Sequence, residues 1–291
     1  MVKGIMIIIM LFSCIFNKIQ ELPYNNNEIT EETTKDTIEI MTKDPAIEKE
    51  TETIEDNNVI VSQYPKYYED ETLSITVAKE WFNNSWCYVA HIKCDPSRFQ
   101  SIISSKGYGT TETCSSVAKR ENAILLINGD YYKPNYAPQM YLIRNKQIIK
   151  DGTSDGYGIG FFNDGFLKPI EAGISANDTL NRGVIHSFMF GPVLVSNSNN
   201  VAKSEVSAPH TAIGMVNPGE YYVVVSNGRY SDGESKGLNL NQLGALFINK
   251  GCTFAYNLDG GGGSEMIFQG EILNNLSDGC ERAAMDFIYF K

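Results

Sequence analysis

The stretch "NLDGGGGSEM", residues 257–266, sets Asp259 ahead of four consecutive glycines and Ser264. Glycine loses more backbone freedom on folding than any other residue, so such a run is unfavourable unless the loop needs what a side chain would forbid. Two nucleotide-binding loops have this character, and the sequence excludes both. A Walker loop ends in Gly-Lys-Ser or Gly-Lys-Thr, which is absent. A dinucleotide fingerprint accommodates Gly260 and Gly262 but meets Glu265 where its third glycine belongs, and it requires a helix on its C-terminal side. The segment in that place, "EMIFQGEILN", reads as a hairpin. The loop therefore joins strand to strand, with glycines that admit a ligand close to the backbone. Three more polar clusters stand at strand ends: "INGDYY" (127–132), "SNGRY" (226–230) and "NNLSDGCER" (274–282). Each alone reads as a turn. Rigid strands are also what hold polar groups in a binding or catalytic site.

The elements that must position these residues are mostly short strands. "SITVA", "CYVAHIKC", "AILLING", "MYLIRNKQIIKD", "GIGFFNDGFLK", "YYVVVSNG" and "FAYNLD" are β-branched or aromatic runs bounded by turn residues. Tight turns are expected at Asn145-Lys146 and at Gln269-Gly270. Two helices are expected. One spans Thr111–Arg120 with Glu112 in its first turn. The other spans Asn239–Lys250, with Leu240, Leu243 and Phe247 on one face and Gly251 just past its end. The fold class is α+β: a mixed, strand-rich single domain with mainly antiparallel sheet and a few helices.

Taken in order, "AILLINGDYY", "YLIRNKQI", "PHTAIGM", "VVVSNGRYSDG", "GCTFAYNLDGGGGSEM" and "SDGCERAAMDFIYF" resemble the phosphodiester glycosidase family over roughly residues 75–291. The resemblance implies hydrolysis of the bond between a sugar's anomeric carbon and a phosphodiester oxygen, with N-acetylglucosaminidase-like relatives. That reaction needs a cationic, N–H-rich pocket for the phosphate and a carboxylate at the anomeric carbon. The resemblance makes Arg229 and Arg282 the phosphate-binding forks, and Asp130 and Asp259 the carboxylates. The backbone amides of Gly260, Gly261 and Gly262 would add an anion nest. Asn128, Gly129, Tyr131, His210, Thr211, Ser264, Asn275, Ser277, Asp278 and Glu281 are the further substrate contacts, Glu281 also as the ion-pair partner of Arg282. No cofactor is certain; Asp130, Asp259 and Asp278 could ligate a hard cation such as calcium. The chain departs from the family pattern twice, with Gly263 where a serine is usual and His210 where an arginine is usual. An altered substrate or weakened activity would follow from losing a fixed bidentate cation.

Composition bounds the remaining alternatives. A net charge of −11 over 291 residues argues against a nucleic-acid partner, which needs a basic face. Most of that charge lies in residues 18–58, which hold 12 acidic and 4 basic residues and few aromatics. Such a segment cannot bury enough apolar surface to order itself, and it reads as an acidic linker. Ahead of it, residues 1–17 carry one lysine, a short apolar run and "LFSC", as in a signal peptide or lipoprotein anchor lipidated at Cys14. Residues 59–291 form the expected domain, on the outer face of the cell membrane or secreted, touching membrane only through that anchor. The partner would be a phosphodiester in an extracellular polysaccharide. A non-catalytic glycan-binding domain of the same fold is the alternative. Five cysteines remain beyond Cys14, enough for two disulfides at most. A cysteine hydrolase built on Cys87 and His91 has no supporting pattern.

Overall fold

The computed structural model describes residues 60–61, 65–130, 141–156 and 158–291. The first 59 residues, including the leader and the whole acidic segment, lie outside the described residues, as does Tyr131. Among the described residues, every strand pair of the sheets is antiparallel.

A large sheet runs, edge to edge, through Ile60–Val61, Leu73–Phe82, Ser85–Cys94, Glu220–Ser226, Thr211–Asn217, Phe254–Asn257, Val193–Ser196 and Asn199–Asn200. Lys66–Glu69 pairs beside it with Leu73–Phe82. A small sheet runs through Glu271–Ile272, Met266–Phe268, Leu125–Asn128, Asp286–Phe290 and Phe99–Ile103. The main core fills the space between them: Ile75, Ile92, Ile213, Val223 and Tyr256 from the large sheet meet Leu125, Ile127, Met266, Ile288 and Phe290 from the small one. Side chains alternate faces along a strand, so the intervening residues point outward. There they meet helices. Helix α1 (Cys114–Glu121) covers Leu126, Ile267 and Phe287. Helix α2 (Ala176–Asn181) is a short turn of helix in a side cluster with Tyr141, Ile143 and Met189. Helix α3 (Leu240–Asn249) covers Ala212, Val224 and Ala255 with Leu243, Leu246 and Phe247. Because both faces are buried, "AILLING" and "YYVVVSNG" read as continuous apolar runs rather than alternating ones.

The local expectations meet the structure closely at α3 and less closely at α1. Asn239 caps α3 through a reciprocal pair: its Oδ1 accepts from the Gln242 amide at 2.8 Å, and the Gln242 side chain accepts from the Asn239 amide at 3.0 Å. Gly251 sits just past the helix with φ +77°. Helix α1 starts later than its threonines suggest, with Thr113 as its cap. Glu112 is not in its first turn. It exchanges backbone hydrogen bonds with Ala284 at 2.9 and 2.8 Å, which requires extended backbone, and its carboxylate pairs with Arg120. Helix α2 has no sequence expectation behind it, being too short to show a period. Both tight turns form, at Asn145-Lys146 with φ 47° and 61° and at Gln269-Gly270 with φ 49° and 83°. Removing the α3 cap with Asn239→Ala should lower unfolding free energy by about 1 kcal/mol in urea denaturation, with the m-value unchanged.

Candidate active site

The glycine loop is the crossing between the two sheets. Strand Phe254–Asn257 of the large sheet enters it, and strand Met266–Phe268 of the small sheet leaves it. One buried side chain, Asn128, holds both ends of the crossing. Its Nδ2 donates to the Asp259 carbonyl at 2.7 Å, and its Oδ1 accepts from the Glu265 amide at 3.1 Å. The same Oδ1 accepts from Thr211 Oγ1 at 2.7 Å, which ties in a central strand of the large sheet. Gly129 continues the clamp, its carbonyl accepting from the Asp259 amide at 3.1 Å and its own amide donating to the Asp286 carbonyl at 2.8 Å. A Cβ on Gly129 would sit 1.9 Å from Asp286 Oδ1, so only glycine fits. Asn128, Gly129 and Thr211 thus position the loop from beneath.

The glycines do something different from what their sequence implies. The Gly260 amide donates to Asp259 Oδ1 at 2.9 Å and the Gly261 amide to the Pro209 carbonyl at 2.9 Å. These two amides are engaged by the loop's own surroundings, which takes them out of the anion nest expected from Gly260–Gly262. What the glycines permit is close approach by other side chains. A Cβ on Gly261, at φ +63°, would lie 2.9 Å from Arg229 Nη2. A Cβ on Gly262 would lie 2.1 Å from Asp278 Oδ2 and 2.3 Å from Arg282 Nη2. Two arginines from distant segments therefore rest on the bare backbone of the loop, around one carboxylate. Arg282 Nε donates to Asp278 Oδ2 at 3.0 Å, and Arg229 Nη1 lies 3.8 Å from Asp278 Oδ1. Arg282 pairs with Asp278, four residues away, rather than with Glu281. Glu281 turns to the start of α1, accepting from the Ser115 amide at 2.8 Å and its hydroxyl at 2.6 Å.

Asp130 belongs under the site rather than in it. Its carboxylate is 1% exposed and accepts from the amides of Met189 at 2.7 Å and Phe190 at 3.2 Å. Burial, then the neighbouring Asp286, push its pKa up to about 8, against the guanidinium of Arg144. Arg144 is itself buried, donating to Asp286 and to the Ile143 and Ser187 carbonyls. This charge cluster braces the Asn128–Asp130 turn, and it corrects the assignment of Asp130 as a second reacting carboxylate. Asp259 is the half-buried carboxylate at the loop. The calcium set is likewise dispersed, with Asp130 on amides and Asp278 on arginines; among the described residues no group of three or more such ligands is placed to hold a metal ion.

Other residues line the edges of the loop. His210 lies beside Gly260, and burial lowers its pKa to about 4. Its imidazole is therefore neutral at physiological pH and supplies no cation. The Ser264 and Ser277 hydroxyls are buried without a hydrogen-bond partner among the described residues. Asn275 pairs with buried Asn227, amide to Oδ1 at 3.0 Å. Gly263 differs from its neighbours. Among the described residues a Cβ there would meet only Asp259 Oδ2, at an ordinary 3.7 Å. Sequence reasoning missed Arg144, Asp286 and Glu265. Asp286 and Glu265 carried a signal, Asp286 as a charge inside an apolar run ("AAMDFIYF") and Glu265 as one at the border of another ("SEMIF"). The five described cysteines are free, and Cys87 is buried with its thiol pushed up by burial. Cys87 and His91 stand four residues apart on the strand Ser85–Cys94, about 13 Å along it and beyond hydrogen-bond reach, and His91 pairs instead with Glu220 at 2.8 Å.

This two-sheet fold is shared with solved structures of low sequence identity. The catalytic domain of zebrafish N-acetylglucosamine-1-phosphodiester alpha-N-acetylglucosaminidase, auto-inhibited by its pro-peptide, superposes with a TM-score of 0.59 at 16% identity, over 80% of this chain and 83% of that one. A hypothetical protein from Synechocystis gives 0.55 at 13% identity, over 78% and 64%. The sequence profile of the phosphodiester glycosidase family matches residues 121–291, and the chain belongs to that family. It is also 33% identical over 196 residues to the SPbeta prophage-derived uncharacterized protein YomE of Bacillus subtilis (strain 168). That match takes in 62% of this chain and 30% of the relative, so this chain corresponds to under a third of the relative's length.

Glu265 gives the site region a pH signature. Its side chain is buried, and burial followed by the hydrogen bond and charge of Glu281 raise its pKa to about 9. The folded chain keeps a proton that the unfolded chain releases above about 4.3. Stability should therefore fall as pH rises from about 4 to about 9, Asp130 contributing in the same direction. Glu265→Gln should reduce that fall, measured as urea midpoints across the pH range.

Proposed function

We propose that the chain hydrolyses a sugar-1-phosphodiester bond in an extracellular or cell-surface glycan. The observation that carries this reading is the convergence of Arg229 and Arg282 on the glycine loop that bears Asp259. The arginines come from segments about fifty residues apart and remain partly open to solvent, at 52% and 32% of their side-chain surface. A planar guanidinium matches phosphate oxygens with paired hydrogen bonds, which the 3.8 Å contact of Arg229 with Asp278 leaves it able to form. In the reaction, the bond from the anomeric carbon to the phosphodiester oxygen breaks and its electron pair leaves with the phosphate. A water oxygen bonds the anomeric carbon, and the proton it loses passes to solvent. The departing phosphate monoester is a stable anion, so less help from a general acid is needed than for an alkoxide. Asp259 is the carboxylate that faces the charge developing on the sugar.

The N-terminal segment supports a location outside the cell: an apolar leader ending in Cys14, then an acidic tether. N-acetylglucosamine is the first sugar to test, because the zebrafish relative is named for it. The neutral His210 favours a second reading, a domain that binds the glycan without turning it over. One assay separates the two. The purified chain should release free sugar from N-acetylglucosamine 1-(methyl phosphate), and Asp259→Asn should slow release by about 10²-fold or more without loss of the folded state. Binding without any release would establish the second reading, and full activity in Asp259→Asn would remove Asp259 from the mechanism.

A further inference from the structure

Glu265 and Glu281 are carboxyl groups that the hydrolytic step does not use. Glu265 leaves the glycine loop directly after Ser264, its amide donating to Asn128 Oδ1 at 3.1 Å. Glu281 directly precedes Arg282. Arg282 rests so closely on Gly262 that a Cβ there would collide with its Nη2. Loop and arginine thus meet at Gly262, and the residues flanking them meet a second time, where the Glu265 side chain hydrogen-bonds that of Glu281. A hydrogen bond between two carboxyl groups needs a proton on one of them. The surroundings decide which. Glu281 accepts from the Ser115 amide at 2.8 Å and the Ser115 hydroxyl at 2.6 Å, at the N-terminus of α1, where a negative charge is favoured. Glu265 is 1% exposed, and its Oε1 accepts from no N–H or O–H group among the described residues, so a charge there is costly. The proton therefore stays on Glu265, in keeping with its pKa of about 9, and is donated to the Glu281 carboxylate. From α1 the buried thiol of Cys114 also faces Glu265, and burial keeps it protonated. From strand Leu125–Asn128 it faces the neutral Asn128, and past Glu281 lie the paired Arg282 and Asp278.

We propose that Glu265 is a positioning residue for the phosphate site: as a neutral acid it holds Glu281, and through Glu281 it seats Arg282 on the glycine loop. The inference rests on the phosphodiester reading and extends it to what sets the place of Arg282. Loss of the proton at alkaline pH puts two carboxylates side by side. Their repulsion parts the segment bearing Arg282 from the exit of the loop, and phosphate binding weakens. Glutamine at position 265 keeps an N–H donor for Glu281 at every pH, and glutamine at position 281 removes the second charge.

The test uses the full chain and N-acetylglucosamine 1-(methyl phosphate), whose phosphodiester keeps one negative charge from pH 7 to pH 10. Over that range the wild-type KM, or Kd if only binding occurs, should rise about tenfold, with circular dichroism showing the chain still folded. Glu265→Gln and Glu281→Gln should each reduce that rise to about twofold or less. Asp130 is unchanged in all three proteins, so the difference between their profiles belongs to the Glu265–Glu281 pair. Without any ligand, the infrared spectrum of the wild-type chain at pH 7 should contain a protonated-carboxyl band that Glu265→Gln lacks. An equal alkaline rise in all three proteins, no rise in the wild-type chain, or no such infrared difference would overturn the role of Glu265. Failure of the wild-type chain to bind or cleave the probe at pH 7 would overturn the phosphodiester reading itself, and this role with it.

Discussion

Three hydrogen bonds from one buried amide side chain organise this protein. Asn128 reaches the Asp259 carbonyl, the Glu265 amide and the Thr211 hydroxyl. In doing so it fixes the glycine loop where the chain passes from one sheet to the other. Each of these groups is buried or nearly so, and leaving one unpaired there would cost about 1–3 kcal/mol. The clamp is therefore specific as well as stabilising. An aspartate in its place would offer no donor to the Asp259 carbonyl, and an alanine would leave all three partners unpaired. The groups proposed for the chemistry are referred to this point: Asp259 directly, and Arg229 and Arg282 through the backbone on which they rest.

Three of the four glycines answer to that arrangement. Gly260 is pressed against the Pro209 carbonyl, Gly261 against Arg229, and Gly262 against the Arg282–Asp278 pair. A side chain at Gly261 or Gly262 would push away the groups that make the cationic edge, and one at Gly260 would press on the Pro209 carbonyl. Gly263 stands apart, since the structure has room for a small side chain beside Asp259. The loop is rich in glycine so that the chain's own charged side chains can approach the backbone.

Much of the fold was legible because its elements are strongly marked. The capped helix α3 carries its signals in adjacent residues, and the two hairpin turns announce themselves through Asn-Lys and Gln-Gly between apolar runs. The segments that converge at the candidate site were legible for the same reason, since polar clusters ended apolar strands. The division of labour within it was not. Asp130 and Asp259 look alike in sequence, each standing shortly after an asparagine at a strand end, yet one accepts two amides beside a buried arginine and the other caps the loop. Arg282 has an acidic neighbour at Glu281 and another at Asp278, and only the path of the backbone decides that Asp278 faces it. Such choices depend on contacts between residues far apart in the chain, which local pattern does not encode. The neutral state of His210 is likewise a consequence of burial rather than residue type.

The most direct test of this account is a crystal structure of the chain with N-acetylglucosamine 1-phosphate bound. The phosphoryl group should lie between Arg229 and Arg282 above Gly261 and Gly262, with the sugar's anomeric carbon facing Asp259 and Asn128 still clamping the loop. A phosphoryl group bound away from both arginines, or a sugar turned away from Asp259, would contradict it.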